Sequence, residues 1–128
     1  MSGGRRYEGF VPGRHAIDSY GAGGFRFADM SHRGSILALP SGIRAWTARM
    51  PEDLTVAAFD EVLAEAEGID TLLIGTGPSL VFLDEEVRSA LKAVSMAVDV
   101  MSTGSAARVY NIMVGENRRV AAALLAVD

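Results

Sequence analysis

Cysteine is absent from the 128-residue chain, histidine occurs only twice, and no apolar run is longer than Val120 to Val127. Without cysteine there are no disulfides, no thiol catalysis and no thiolate metal ligands, which fits a reducing compartment. The longest apolar run is less than half of the roughly 20 residues that a membrane helix needs. Residues 1–14 contain no apolar leader segment. We therefore expect a soluble cytoplasmic protein without membrane insertion.

The two histidines do not fit a metal site or a catalytic triad. His15 and His32 have sixteen residues between them and no thiols to complete a zinc site. Ser79 and Ser102 lack the Gly-x-Ser-x-Gly elbow of a serine hydrolase. We expect both histidines to be solvated surface residues. The sequence predicts no catalytic residues, no metal and no cofactor.

Charge is unevenly distributed along a chain whose net charge is −4. Residues 1–49 contain seven arginines against three acids, and the remaining residues contain five basic and thirteen acidic side chains. Such asymmetry can steer a partner during encounter. Because the arginines are spread singly, without a dense basic run, we do not expect nucleic-acid binding.

Hydrophobic residues make up 49% of the chain and charged residues 22%, which is ordinary for a single globular domain. We expect a flexible tail over residues 1–12 and one domain over residues 13–128. Phe25 and Phe27 flank Arg26, which predicts a strand with one buried and one solvated face. The turn at Pro40-Ser41-Gly42 predicts a hairpin over residues 35–47. The N-terminal third is therefore predicted to be rich in β-structure.

From residue 51 onward, helical and strand patterns alternate. Helical spacing from Val56 to Ala66, from Asp84 and again from Ser102 predicts three helices. Short apolar runs at 69–74 and 98–101, and the alanine-rich run at the C-terminus, predict three buried strands. This alternation predicts an α/β fold around a mostly parallel sheet.

Two Thr-Gly turns follow two of these strands. If the strands are parallel neighbours, both turns open at the same edge of the sheet and line one crevice. Arg108 and Asn111 fall on the outer side of the third helix, where Arg108 could hold a carboxylate or remain a solvated side chain. The helix start at Ser102 could bind an anion or be capped by its own serine. The residues predicted to line the crevice are Gly75, Thr76, Gly77, Ser102, Thr103, Gly104, Arg108 and Asn111.

The segment Gly75-Thr76-Gly77 could alternatively belong to a dinucleotide-binding motif. Asp99 follows Gly77 at about the distance along the chain at which such motifs have an acid that binds the ribose. Leu80 stands at the third glycine position, Pro78 intervenes, and the next helix begins only near Asp84. We favour a plain tight turn.

Taken together, Leu73 to Gly77 and Met101 to Asn111 resemble the Mth domain family. That family includes the mitochondrial complex I assembly factor three and the adipogenesis-associated Mth domain protein. Upstream support comes from Gly24-Phe25-Arg26-Phe27, Gly34-Ser35, Leu39-Pro40 and Trp46.

The resemblance implies a three-layer α/β/α domain with a mixed central sheet, an antiparallel last strand and an added N-terminal β layer. It implies no catalysis: the bacterial members are uncharacterised, and the mitochondrial relatives assist assembly of respiratory complex I through protein contacts. Among the positions that match the family, Tyr110 joins Asn111 and the other residues predicted to line the crevice.

Two functional hypotheses follow. The first is a non-catalytic domain that binds an unknown protein partner, as a monomer or a homodimer, in an assembly-type role. The alternative is a small-molecule or anion-binding protein, or a weak enzyme, that uses the Thr-Gly crevice at the ends of the two parallel strands.

Overall fold

The computed structural model describes residues 8–128, which form two β-sheets and three α-helices joined by short 3-10 turns. The strands are β1 (Phe10–Pro12), β2 (Ser19–Gly21), β3 (Gly24–Phe27), β4 (Met30–Arg33), β5 (Ser35–Leu39), β6 (Gly42–Trp46), β7 (Thr71–Gly75), β8 (Ala97–Met101) and β9 (Val120–Leu124). The helices are α1 (Asp60–Ala64), α2 (Glu85–Lys92) and α3 (Thr103–Gly115).

Six strands form the central sheet in the order β1-β6-β5-β9-β7-β8. Strands β5 and β6 form the predicted hairpin, with Ser35 opposite Trp46. Strand β7 runs parallel to both β8 and β9, whereas β9 runs antiparallel to β5. The last strand therefore joins an antiparallel half of the sheet to a parallel half. Its pairing with β5 is the antiparallel arrangement that the family resemblance implies, and the mixed α/β class is confirmed.

Both faces of the central sheet are covered, which gives three layers. Alternate side chains of a strand point to opposite faces, so Leu72 and Ile74 of β7 pack on the side of α1 and α2, while Leu73 packs on the side of α3. The second sheet, in the order β2-β3-β4, shares the layer of α3. This three-stranded sheet is the predicted additional β layer.

Strand β9 is buried along its whole length, as the alanine-rich run predicts. Ala121 and Ala123 belong to the core on the α1 and α2 side, and Ala122 belongs to the core on the α3 side. The sequence of a strand covered on both faces is a continuous apolar run, because the strand has no solvated face.

The first predicted helix is wrong in its length. Instead of one helix over residues 56–66, the chain forms a 3-10 turn at Ala57–Phe59, the short helix α1 and a second 3-10 turn at Ala66–Gly68. The indole N–H of Trp46 donates to the carbonyl oxygen of Ala58 over 2.8 Å. A continuous helix would direct that carbonyl to the N–H four residues later. A tertiary contact thus overrides the helical pattern.

The flexible tail predicted over residues 1–12 is too long, because part of it forms a strand. Phe10–Pro12 forms the edge strand β1 and pairs antiparallel with β6, Phe10 lying opposite Arg44. The Arg44 guanidinium lies 4.8 Å from the centre of the Phe10 ring. Residues 1–7, the rest of that prediction, lie outside the described residues.

The three-stranded sheet shows the predicted alternation, with Phe25 and Phe27 buried and Arg26 exposed. The prediction that His32 is solvated is wrong: it is 8% exposed, on the inner face of β4. Its Nε2 atom lies 3.1 Å from the carbonyl oxygen of Ser35, and its ring is tilted against Phe27. His32 is a core residue of the layer that contains the small sheet.

Candidate functional site

The two Thr-Gly turns meet, as the sequence predicts. Strands β7 and β8 are parallel neighbours, with Gly75 opposite Met101. The backbone N–H of Gly77 donates to the Thr103 hydroxyl over 3.0 Å, and the N–H of Thr103 donates to the carbonyl of Gly77 over 2.8 Å. The carboxyl ends of the two strands are therefore joined directly by hydrogen bonds.

Little open space remains where the turns meet. The Thr103 hydroxyl also donates to the carbonyl of Leu125 over 2.7 Å, and Thr103 is 0% exposed. A Cβ on Gly75 would lie only 2.7 Å from the Thr103 Cα. Glycine is required there because the start of α3 packs directly on the strand end. The hydroxyl that a crevice ligand would need is already used inside the protein.

The start of α3 is capped by its own side chain. The Ser102 hydroxyl accepts a hydrogen bond from the backbone N–H of Ser105 over 3.3 Å and donates to the Ser105 hydroxyl over 3.1 Å. A capping serine satisfies one of the free N–H groups with which an anion would bind. Of the two interpretations of this helix start, the structure shows the cap.

Asn111 binds the chain just before β2. Its Oδ1 accepts from the backbone N–H of Ile17 over 2.7 Å, and its Nδ2 donates to the carbonyl of Ile17 over 2.8 Å. The amide therefore pairs with the backbone as a neighbouring strand would, which holds the small sheet against α3.

A groove of about 360 Å³ opens between β2 and α3. Gly104, Arg108 and Asn111 line it from the helix, and Tyr20 lines it from β2. Gly75, Thr76, Gly77, Ser102, Thr103 and Tyr110 do not line it, so the predicted crevice residues do not share one opening. Three of the nine residues border the groove, and it lies beside the strand ends rather than over them.

Tyr110 is 1% exposed and belongs to the core between the central sheet and α3. Burial raises the pKa of its phenol above the ordinary value of 10.0, and the cation of Arg14 offsets part of this rise. An acid whose pKa is raised by folding binds its proton more tightly in the native state. The stability that this difference supplies is complete below the unfolded pKa and is lost at higher pH.

We therefore expect the stability of the native chain to fall as the pH rises above about 10, through the raised pKa of Tyr110. The Tyr110→Phe variant cannot ionise at this position, so its stability relative to the native chain should improve over that range and stay constant below it. Urea denaturation of both proteins between about pH 8 and pH 11 measures the difference. Parallel curves across the whole range would contradict the prediction.

The sequence analysis missed the loop between β7 and α2. Leu80, Val81 and Phe82 are consecutive and exposed by 46%, 39% and 78% of their surfaces. Three neighbouring exposed apolar side chains are unusual on a monomer and mark interaction surfaces. The signal was a run of apolar residues between Ser79 and Asp84 that belongs to no predicted strand or helix.

The loop is held at both ends. The Thr76 hydroxyl donates to the carbonyl of Ser79 over 2.8 Å and accepts from the N–H of Val81 over 2.9 Å. Beyond the exposed residues, Leu83 is buried in the core. Thr76 therefore positions a loop that points apolar side chains outward, and we call Leu80, Val81 and Phe82 the apolar loop.

Residues 8–128 contain no group of three or more His, Cys, Asp or Glu side chains placed to hold a metal ion. Within the same range, no helix combines the length and the apolar character needed to cross a bilayer.

Comparison with protein families matches residues 17–125 to the model described as "Protein of unknown function (DUF498/DUF598)". The chain belongs to this family. An uncharacterized protein of Rhodobacter capsulatus is 38% identical over 94% of the chain and 90% of its own length. The mouse NADH dehydrogenase [ubiquinone] 1 alpha subcomplex assembly factor 3 is 28% identical over 85% of the chain and 59% of its own length. The chain thus spans about three-fifths of that mitochondrial relative.

Solved structures confirm the Mth-type fold. The chain is similar to an outer membrane protein from Bartonella henselae, with a TM-score of 0.88 and 50% identity over 91% of this chain and 98% of that one. It is also similar to a Mth938-like domain from Bordetella pertussis, with a TM-score of 0.76 and 27% identity over 87% of this chain and 85% of that one. The resemblance predicted from the Thr-Gly segments is confirmed for family and fold.

Proposed function

We propose that this DUF498/DUF598 chain is a non-catalytic protein-binding domain with an assembly-type role, acting in the cytoplasm on a multi-subunit complex such as respiratory complex I. The observation that carries the proposal is the exposed apolar loop, in which Phe82 leaves 78% of its surface in water. Similarity to mitochondrial assembly factors supports the role. Exposed aromatic side chains of this kind supply much of the energy of protein interfaces.

The loop also indicates what its partner looks like. Asp84, Glu85 and Glu86 follow it after the buried Leu83, at the start of α2, and are exposed. An apolar pocket rimmed by basic side chains would bury the loop and complement these carboxylates. This surface lies at the strand ends of the sheet, where the root of the loop is hydrogen-bonded to Thr76.

The experiment compares Phe82→Asp with Ile112→Asp in a deletion strain of the native host. Ile112 is a matched control, because it is exposed by 55% but lies on α3. A charge at either exposed position should change the free energy of unfolding by no more than about 1 kcal/mol, including the cost of an aspartate near the end of a helix. We expect the native chain and Ile112→Asp to restore assembled complex I and its NADH oxidation, and Phe82→Asp to fail.

Binding is then measured with the partner that a photo-crosslinking residue at position 82 captures. Loss of a hot-spot aromatic is worth about 2 kcal/mol or more, so Phe82→Asp should bind about 30-fold more weakly. Unchanged complex I in the deletion strain would contradict the role in complex I assembly. Equal binding by the two variants would contradict the role of the loop.

A further inference from the structure

A second surface of the molecule carries unneutralised positive charge. A groove of about 620 Å³ runs over the outer face of the three-stranded sheet and continues past Tyr20 into the groove beside α3. Arg26 and Arg33 line the first groove, and Arg108 lines the second. Among the described residues that line the two grooves, Asp18 is the sole acid. Two of the seven arginines of residues 1–49, Arg26 and Arg33, thus lie on this surface.

Strand register places Arg26 and Arg33 on the same face. Arg26 lies between Ser19 of β2 and Ser31 of β4, and Arg33 lies opposite Gly24 in the neighbouring row. Such diagonal neighbours on adjacent strands have side chains roughly 7–8 Å apart. Because both arginines start from neighbouring positions on one face, their long side chains can reach the same negative group.

No carboxylate among residues 8–128 forms an ion pair with Arg26, Arg33 or Arg108. Within residues 8–128, the Arg26 guanidinium donates to the Ser31 hydroxyl over 2.7 Å, whereas the side chains of Arg33 and Arg108 form no hydrogen bond or ion pair. In contrast, Arg44 of the central sheet pairs with Glu61 over 2.6 Å. The floor beside Arg33 is formed by the paired glycines Gly21 and Gly24, which have no side chains to fill the groove.

We propose that this surface, the arginine groove, binds an acidic segment of a protein, whose carboxylates lie against Arg26 and Arg33. The groove is open along the sheet surface, whereas sites for small molecules enclose most of the ligand's surface. Tyr20 is 46% exposed where the two grooves meet, and tyrosine and arginine are the side chains that protein interfaces favour. Planar guanidinium groups bind carboxylates through paired hydrogen bonds. This inference is independent of the apolar loop.

The test is a titration of the ¹⁵N-labelled chain with a synthetic octaglutamate peptide, followed by NMR. Saturable shifts are expected at Gly21, Gly24 and the side-chain N–H groups of Arg26 and Arg33. Raising the ionic strength from about 0.01 M to about 0.15 M shortens the screening length from about 30 Å to about 8 Å, and should weaken binding. This mapping uses the unmodified chain and does not depend on how a variant folds.

A matched pair of double variants separates the groove from net charge. Arg26→Gln with Arg33→Gln should weaken peptide binding about tenfold, the combined effect of two lost exposed ion-pair contacts. Arg49→Gln with Arg88→Gln removes the same charge from exposed positions outside both grooves and should change binding by less than about twofold.

Three results would overturn the proposal. The first is the absence of saturable shifts at the groove. The second is an equal loss of affinity in the two double variants, which would reduce the effect to net charge. The third is binding of inorganic phosphate to the same residues as tightly as the peptide, which would make the groove a phosphate site.

Discussion

Phe27→Ala is expected to lower the free energy of unfolding by about 4 kcal/mol, because it removes a large, fully buried side chain and leaves a cavity in the core. Phe27 is 0% exposed and belongs to the core that joins the three-stranded sheet to the central sheet. Urea denaturation measures the change. Hydrogen exchange should also show faster exchange in β2, β3 and β4 than in β7 and β9.

Phe10→Ala is the matched control. The Phe10 ring is 41% exposed on the edge strand β1, and it packs against the cation of Arg44. An exposed cation–π contact contributes about 0.5–1 kcal/mol, so Phe10→Ala should lower stability by only about 1 kcal/mol. Equal losses from the two substitutions would show that Phe27 does not anchor the small sheet.

Thr103→Val should lower the free energy of unfolding by about 3 kcal/mol although the two side chains have nearly the same shape. The substitution leaves the Gly77 N–H and the Leu125 carbonyl without their buried partner, and each unsatisfied group costs about 1–3 kcal/mol. Thermal and urea denaturation measure the loss, and the Gly77 amide should exchange faster with solvent.

Thr103→Ser retains the hydroxyl and removes one methyl group, so its expected loss is only about 1 kcal/mol. A Thr103→Val protein as stable as Thr103→Ser would mean that the hydroxyl does not hold the two strand ends together.

The order of elements followed from local patterns with one main exception. Residues 56–66 have helical spacing, but Trp46 reaches the Ala58 carbonyl from the hairpin and the helix is broken into turns. A periodic pattern of apolar residues shows which face of a helix is apolar. It does not report a hydrogen bond from a residue on another element, so periodicity alone could not predict the break.

The meeting of the two Thr-Gly turns was predicted, but the hydrogen bonds that form there were not. Parallel neighbouring strands end at the same edge, which is why Thr76 and Thr103 could be placed together before the fold was known. That their hydroxyls are used by Ser79, Val81 and Leu125 depends on loop and chain-end positions that no spacing encodes.

By itself, the sequence determined the α/β class, the Mth family, the hairpin and the adjacency of the two Thr-Gly turns, because each depends on short-range patterning or on a general rule for parallel strands. Only the tertiary structure decided which polar groups are satisfied and which side chains are left in solvent. The Thr103 hydroxyl, for example, is bonded to the carbonyl of Leu125, which lies 22 residues further along the chain. The apolar loop and the arginine groove are exposed because no other element of residues 8–128 covers them.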